Sequence, residues 1–461
     1  MSLKLSRRRL IESIGGGLGA VGLAGMWSDV FGAELAAQGG ALGHYAGPKL
    51  PVKAKHVIML YLNGGPSQLD MFDPKPALFK YAGQRPSSVD LRTERTTAGL
   101  MPSPFEFKRY GRNGIEVSEL LPQLASVIDD VTVIRSMYTF NPTHTPGRAL
   151  LHTGSVLATR PSIGSWVTYG LGTENNNLPS FVALGSAPPG GPQTRAGFLP
   201  AEFQGVGFGV ADPDPEKIIP NLRNKVLDAA AQRTDMDALL ALNQSHEKTF
   251  GQDAYLDGRI KSLETAYRMQ FEAMDLFDIR KEPERIREEY GPTAFGTGCL
   301  LARRLVEAGV RYVNVEYPGG QAWDDHRDVA DNLRKRCPDM DQAAAALIRD
   351  LKRRGKLDET LVVWGGEFGR TPVSESGSGR DHNPYGYTMF VAGGGFKGGI
   401  AYGATDEFGF KAEQDRVSMH DLHATLLNQL GMDHTKLTYR YAGRDFRLTD
   451  VHGEIVKGVL A

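Results

Sequence analysis

The chain has 461 residues, 53 Lys+Arg against 54 Asp+Glu, and a formal net charge of -1. That balance excludes a globally basic nucleic-acid binder and a long acidic tail, and 55 glycines in an ordinary apolar background exclude a coiled coil or a disordered chain. Two cysteines, Cys299 and Cys337, allow one disulfide, and the absence of CxxC or Cys/His knuckles excludes a structural zinc finger.

The N-terminus reads as an address rather than as fold. Adjacent arginines at Arg7, Arg8 and Arg9 precede a weakly apolar, glycine-rich run from Ile14 to Met26, and small residues follow at Gly32-Ala33 and Ala36-Ala37. That order fits a twin-arginine export signal over 1–37, with the twin-arginine translocase as partner and the periplasm or cell exterior as destination. The run is too short and too rich in glycine for a stable membrane span.

A continuous apolar run at 56–62 predicts a strand buried on both faces, as in a parallel sheet. It breaks at Asn63-Gly64-Gly65-Pro66-Ser67, so Asn63, Ser67 and Asp70 place oxygen donors at a strand's C-terminal end. There they either bind a ligand or build a tight turn. Val131 to Ile134 predicts a second strand. Beyond it, Thr145 as N-cap and Pro146 at the first position predict a helix. That places His144 at a helix N-terminus, where partial positive charge disfavours the imidazolium. Arg148 follows one turn later, and a helix mouth with an arginine suits an oxyanion.

From Phe181 to Pro220 the chain is rich in Gly, Pro and aromatic residues and predicts a long irregular excursion. Helical periodicity follows to about Glu289, with Met269, Met274 and Leu276 as a core stripe. The expected organisation is one domain over 50–461 with a loop and helical insertion at about 185–290. Residues 295–308 predict a helix closed by Gly309, and 312–315 a strand. The strand leads into Trp323-Asp324-Asp325-His326, where alternation lets Asp324 and His326 face one site. Three acids around one histidine repel unless a cation or bulk water is present.

Residues 343–354 predict a helix feeding the strand at 361–364, which ends in Gly365-Gly366-Glu367. Glu367 either holds a cation or pairs with Arg370. Asp381 and His382 stand just ahead of the apolar run at 387–392. The glycine loop after it lacks the P-loop spacing. Near the C-terminus, Ser418 or Asp421 predicts a helix cap, with His420 and His423 nearby.

Taken together, NGGPSQLDMFDPKP at 63–76, FGTGCLLARRLVEAGVRYVNV at 295–315, AWDDH at 322–326, LVVWGGEFGRTP at 361–372, GRDHNP at 379–384 and MHDLHATLL at 419–427 resemble the secreted bacterial family called domain of unknown function 1501. That family is similar in pattern to the alkaline phosphatase/sulfatase superfamily. The resemblance implies an α/β fold, a three-layer α/β/α sandwich with a largely parallel central sheet. It also implies a metal-dependent hydrolase of phosphate or sulfate esters acting on a small-molecule or polysaccharide substrate. The implied ligands for divalent zinc, manganese or calcium are Asp70, Asp324, His326, Glu367 and His382. Arg148 would neutralise the substrate oxyanion, and His420 would be structural. His144, Pro146, Arg148 and Thr153-Gly154 fit the sulfatase signature spacing, but with histidine where the nucleophile belongs. His144 is therefore nucleophile or extra ligand. Asn63 stands where an acid is expected. Both departures keep an alternative open: a non-catalytic exported protein that binds a polysaccharide or a protein partner.

Overall fold

The apolar run at 56–62 forms β1 (His56–Tyr61), all of it buried. In the computed structural model the described residues are 45–461 apart from 90–91, 158, 176, 186–190, 220–225 and 252–253. The predicted export signal at 1–37 lies outside the described residues. After β1 come β2 (Val131–Tyr138), β3 (Phe181–Leu184), β4 (Val206–Phe208), β5 (Tyr312–Glu316) and β6 (Thr360–Gly365). Then follow β7 (Gly369–Glu375), β8 (Gly379–Asn383), β9 (Tyr387–Ala392), β10 (Ile400–Tyr402) and β11 (Val417–Ser418).

The main sheet runs in the order β10-β2-β9-β6-β1-β5-β3-β4, with β11 beside β2. Every pairing is parallel except those of β9, which is antiparallel to both β6 and β2. A largely parallel sheet must be covered on both faces. The covering helices include α1 (His144–Thr153), α2 (Ile163–Leu171), α3 (Ala254–Phe277), α4 (Ala294–Glu307), α5 (Val329–Arg353) and α6 (Met419–Gln429). Period-two alternation sorts the strands into two cores. Ile58, Leu60, Val313, Val315, Val362 and Trp364 pack with apolar residues of α3, α4 and α5. Val57, Met59, Tyr61, Tyr312, Leu361 and Val363 pack with those of α1, α2 and α6. The result is the three-layer α/β/α architecture.

The predicted stripe is core on the first face, with Met269 buried and Met274 and Leu276 packed beside it. Within the stretch predicted as an excursion, β4 adds an edge strand to β3. α5 starts at Val329, well before the predicted 343, and carries Pro338 inside it. α1 also starts earlier than predicted, at His144 with Thr143 as N-cap. There Asn141 Oδ1 accepts the Thr143 N–H and hydroxyl at 2.9 and 2.6 Å, fixing the entry to the helix. Ser418 and Asp421 form a reciprocal capping box at α6, as the sequence suggests. His420 Nε2 lies 2.8 Å from the Gly154 carbonyl and His423 Nε2 2.9 Å from that of Leu151, so both tie α6 to α1. Cys299 and Cys337 are buried and free.

Two close approaches set up the functional edge. Gly64 has φ 111°, and a Cβ there would meet the Asp324 nitrogen at 2.6 Å. A Cβ on Gly379, at the start of β8, would meet the His326 carbonyl oxygen at 2.0 Å. Only glycine lets the turn after β1 and the β7–β8 hairpin press onto the 323–327 loop.

Candidate metal centre

Because β1, β5 and β6 are parallel, their C-terminal ends open onto one edge, where ligands bind in open α/β sheets. The turn at 63–65 leaves from β1, Asp324 and His326 follow β5, and Glu367 follows β6. The β7–β8 hairpin folds over this edge and delivers His382, while α1 points its N-terminus and His144 at it.

Each histidine is held from behind. His144 Nδ1 lies 2.7 Å from Glu367 Oε1. Glu367 in turn accepts the Gly64 N–H at 3.0 Å and the Tyr61 hydroxyl at 3.1 Å. His326 Nδ1 bonds Glu375. His382 Nδ1 lies 2.6 Å from the Pro142 carbonyl and also contacts the Glu94 carboxylate. An acceptor behind Nδ1 fixes the tautomer that turns the Nε2 lone pair outward.

The Nε2 atoms converge on Asp324. His382 and His326 reach Oδ1 at 2.9 Å each, and His144 reaches Oδ2 at 3.3 Å. Nε2 of His144 and of His326 are shut off from solvent and have no hydrogen-bond partner among the described residues. Two sets of donor atoms lie within 4.8 Å of one another, His144 with Asp324 and His382, and His326 with Asp381 and His382. This donor chemistry fits a divalent cation, since orphaned imidazole nitrogens crowded onto one carboxylate are what a metal satisfies.

The charges are strongly coupled. Burial lowers the pKa of His144, but the Asp324 and Glu367 carboxylates beside its two nitrogens outweigh it and push the value up to about 9. His326 is likewise raised, its burial outweighed by Asp324 and Glu375. His382 is lowered, chiefly by burial. Burial would raise the Asp324 pKa, yet three imidazoles and Arg370 hold it well below the usual carboxylate range. The fully buried Arg370 guanidinium donates to Asp324 Oδ1 at 2.7 Å. Its other N–H groups reach the carbonyls of Gly65 at 2.8 Å and of Arg380 and Trp323 at 3.1 Å.

Of the predicted ligands, Asp324, His326 and His382 are brought together and His144 joins them. Two are not. Both oxygens of Glu367 are engaged by His144, Gly64 and Tyr61, so it stands behind His144 instead of in either donor set. It pairs with His144, and Arg370 goes to Asp324 instead. Asp70 is fully buried against Arg380, with contacts of 2.9 and 3.2 Å, and accepts the Ser67 hydroxyl at 2.5 Å. Asp70 is accordingly in neither donor set.

Arg148, one turn beyond His144, has no hydrogen-bond or ion-pair partner among the described residues, and its Nε is shut off from solvent. It acts electrostatically on Tyr61 and Glu316. Asn63, standing where an acid is expected, donates to Glu316 Oε1 at 2.6 Å and so holds a carboxylate of β5.

Asp381 and Glu375 were not singled out as site residues by the sequence reading. Adjacent strand residues normally face opposite sides, which argues against Asp381 and His382 serving one site. A register shift between Arg380 and His382 removes that objection. An acid next to a candidate histidine was the available signal. Glu375 sits in a polar stretch that reads as a turn.

Residues 54–460 match the family described as "Protein of unknown function (DUF1501)". No curated protein matches the sequence. Among solved structures, the lipoteichoic acid synthase LtaP from Listeria monocytogenes is similar with TM-score 0.37 and 10% identity, covering 89% of this chain and 77% of that one. The PsFucS1 sulfatase from Pseudoalteromonas sp. is similar with TM-score 0.33 and 13% identity, covering 94% and 79%. The alkaline phosphatase from the Antarctic bacterium TAB5 is similar with TM-score 0.28 and 12% identity, covering 75% and 92%. These likenesses are loose.

Proposed function

This chain belongs to the DUF1501 family, and we propose that it is a metal-dependent hydrolase of phosphate or sulfate esters. The observation that carries the reading is the convergence of three Nε2 atoms on Asp324, two of them without a hydrogen-bond partner. On this reading His144, Asp324 and His382 hold the cation, with His326 and Asp381 beside it. A set rich in imidazole favours zinc or manganese over calcium, which takes oxygen ligands. A bound cation supplies Lewis-acid polarisation of an ester oxygen and makes a water more acidic. His144 is assigned as ligand and not nucleophile, because Glu367 fixes its Nδ1 and its Nε2 faces Asp324. Arg148, without a hydrogen-bond or ion-pair partner among the described residues, neutralises the non-bridging oxygens of the substrate, helped by the first-turn N–H groups of α1.

One observation favours a second reading, a non-catalytic exported binder of a polysaccharide or protein. Arg370 already donates to Asp324 Oδ1, so a cation must share that oxygen. A panel of aryl and sugar phosphate and sulfate esters separates the two. Turnover by the wild type that Asp324→Asn abolishes supports the enzyme. Folded, metal-loaded protein that turns over none of them supports the binder.

Export through the twin-arginine translocase is proposed separately, from residues 1–37 alone. No helix among the described residues is long and apolar enough to cross a membrane. Replacing Arg7 and Arg8 by lysine is expected to hold the protein in the cytoplasm; unchanged secretion would refute the assignment.

A further inference from the structure

The segment at 92–98 touches the candidate centre three times in two consecutive residues. The Glu94 carboxylate contacts His382 Nδ1. The next backbone N–H, that of Arg95, donates to Asp381 Oδ2 at 2.7 Å. The Arg95 side chain reaches Glu375 Oε1 at 3.3 Å, on the carboxylate that holds His326. The three targets, His382, Asp381 and Glu375, are 2%, 0% and 6% exposed, whereas Glu94 and Arg95 are exposed. The partners are complementary, the acid meeting an imidazole nitrogen and the base a carboxylate. The same segment is anchored at its far end away from the centre. Arg85 donates to the Thr97 and Ala98 carbonyls at 3.0 and 2.6 Å, and the Ala98 N–H reaches the Ser374 carbonyl at 2.8 Å. One end of the strap is therefore fixed to scaffold, the Tyr385 hydroxyl holds the Arg92 carbonyl at 3.0 Å at the other, and among the described residues Glu94 and Arg95 between them reach residues of the centre.

We propose that Glu94 and Arg95 form a clasp over the metal centre, Glu94 positioning His382 and Arg95 tying Asp381 and Glu375 in place. The inference rests on the reading of the centre as a metal site. The Pro142 carbonyl already lies within bonding distance of His382 Nδ1, so Glu94 adds negative charge behind a ring whose Nε2 faces the cation. Loss of such a partner behind a ligating imidazole characteristically lowers metal affinity 10–100-fold. Reciprocally, a cation that orders His382 and Asp381 orders the strap tied to them.

The test uses the purified chain with Mn2+ or Zn2+ as probe and reads affinity by chelator competition. It also reads the rate of trypsin cleavage after Arg95, whose side chain is 53% exposed. The wild type is expected to bind metal and to be cleaved several-fold more slowly when loaded. Glu94→Ala should lose about tenfold in affinity and most of that protection, with an unchanged melting temperature of the metal-free protein. Glu94→Gln, which keeps shape and loses charge, should fall between, and Arg92→Ala should match the wild type. Wild-type affinity and protection in Glu94→Ala overturn the clasp while leaving the metal site standing. A wild type that takes up no metal overturns the metal reading and the clasp together.

Discussion

Asp70, fully buried, and Asp324, half-buried, lie at the same sheet edge, each facing a guanidinium from the β7–β8 hairpin, and they have opposite characters. Asp70 meets Arg380 through both oxygens. The rest of that guanidinium is used on the Thr371 and Met101 carbonyls, so the pair is closed. Asp324 meets Arg370 through one oxygen and then gathers His144, His326 and His382 as well. One guanidinium suffices to neutralise a buried carboxylate. Adding three imidazoles, two with an unpartnered Nε2, exceeds what a stable fold requires. A closed pair stabilises or at least tolerates burial, whereas an open cluster is built to receive something.

This contrast is open to direct attack. The largest expected effect is on Asp70→Ala, which strands the fully buried Arg380 and is expected to cost about 3–5 kcal/mol of stability. Metal uptake per folded molecule should be retained, as denaturant titration and metal analysis would reveal. Loss of metal at full stability would instead return Asp70 to the ligand set. Next, Arg148→Ala should lower kcat/KM for an active ester by about 10²-fold while leaving metal content intact. An unchanged value would remove Arg148 from substrate binding.

A smaller and graded effect follows from protonation. His144, with its pKa pushed up to about 9, must give up a proton to present Nε2 to a cation. Metal affinity should therefore rise with pH toward about 9, with proton release visible in calorimetry run in buffers of different ionisation enthalpy. In the metal-free protein the sign is reversed. A raised imidazole pKa contributes stability that is fully present below the ordinary value of 6.5 and is lost as pH rises through about 9. Metal-free stability that is flat from pH 6 to 9 would contradict the proposed ion pairing.

Much of this was legible in the sequence, for identifiable reasons. Short apolar runs of strand length such as 56–62 and 387–392 read as buried strands, and the structure puts β1 and β9 there. Acids and histidines flanking such runs mark a sheet edge, which singled out Asp324, His326 and His382, and a helix start singled out His144. Spacing along the chain says nothing about which partner lies behind a side chain. Hence Glu367 looked like a ligand although it supports His144, and Asp70 looked like one although Arg380 claims it. The hairpin itself was hidden because Thr371-Pro372 and Ser374-Glu375 lack strand-like hydrophobicity. The start of α1 was misplaced because Thr145-Pro146 mimics a cap, whereas Asn141 fixes the turn two residues earlier.

The central claim is that the imidazoles around Asp324 form a cation site. Metal analysis of the folded chain, purified without chelator and compared with Asp324→Asn at matched thermal stability, tests it most directly. About one or two equivalents of zinc or manganese in the wild type, falling to background in the variant, is the predicted result. A wild type that is fully folded and stays metal-free after incubation with zinc and manganese would contradict it.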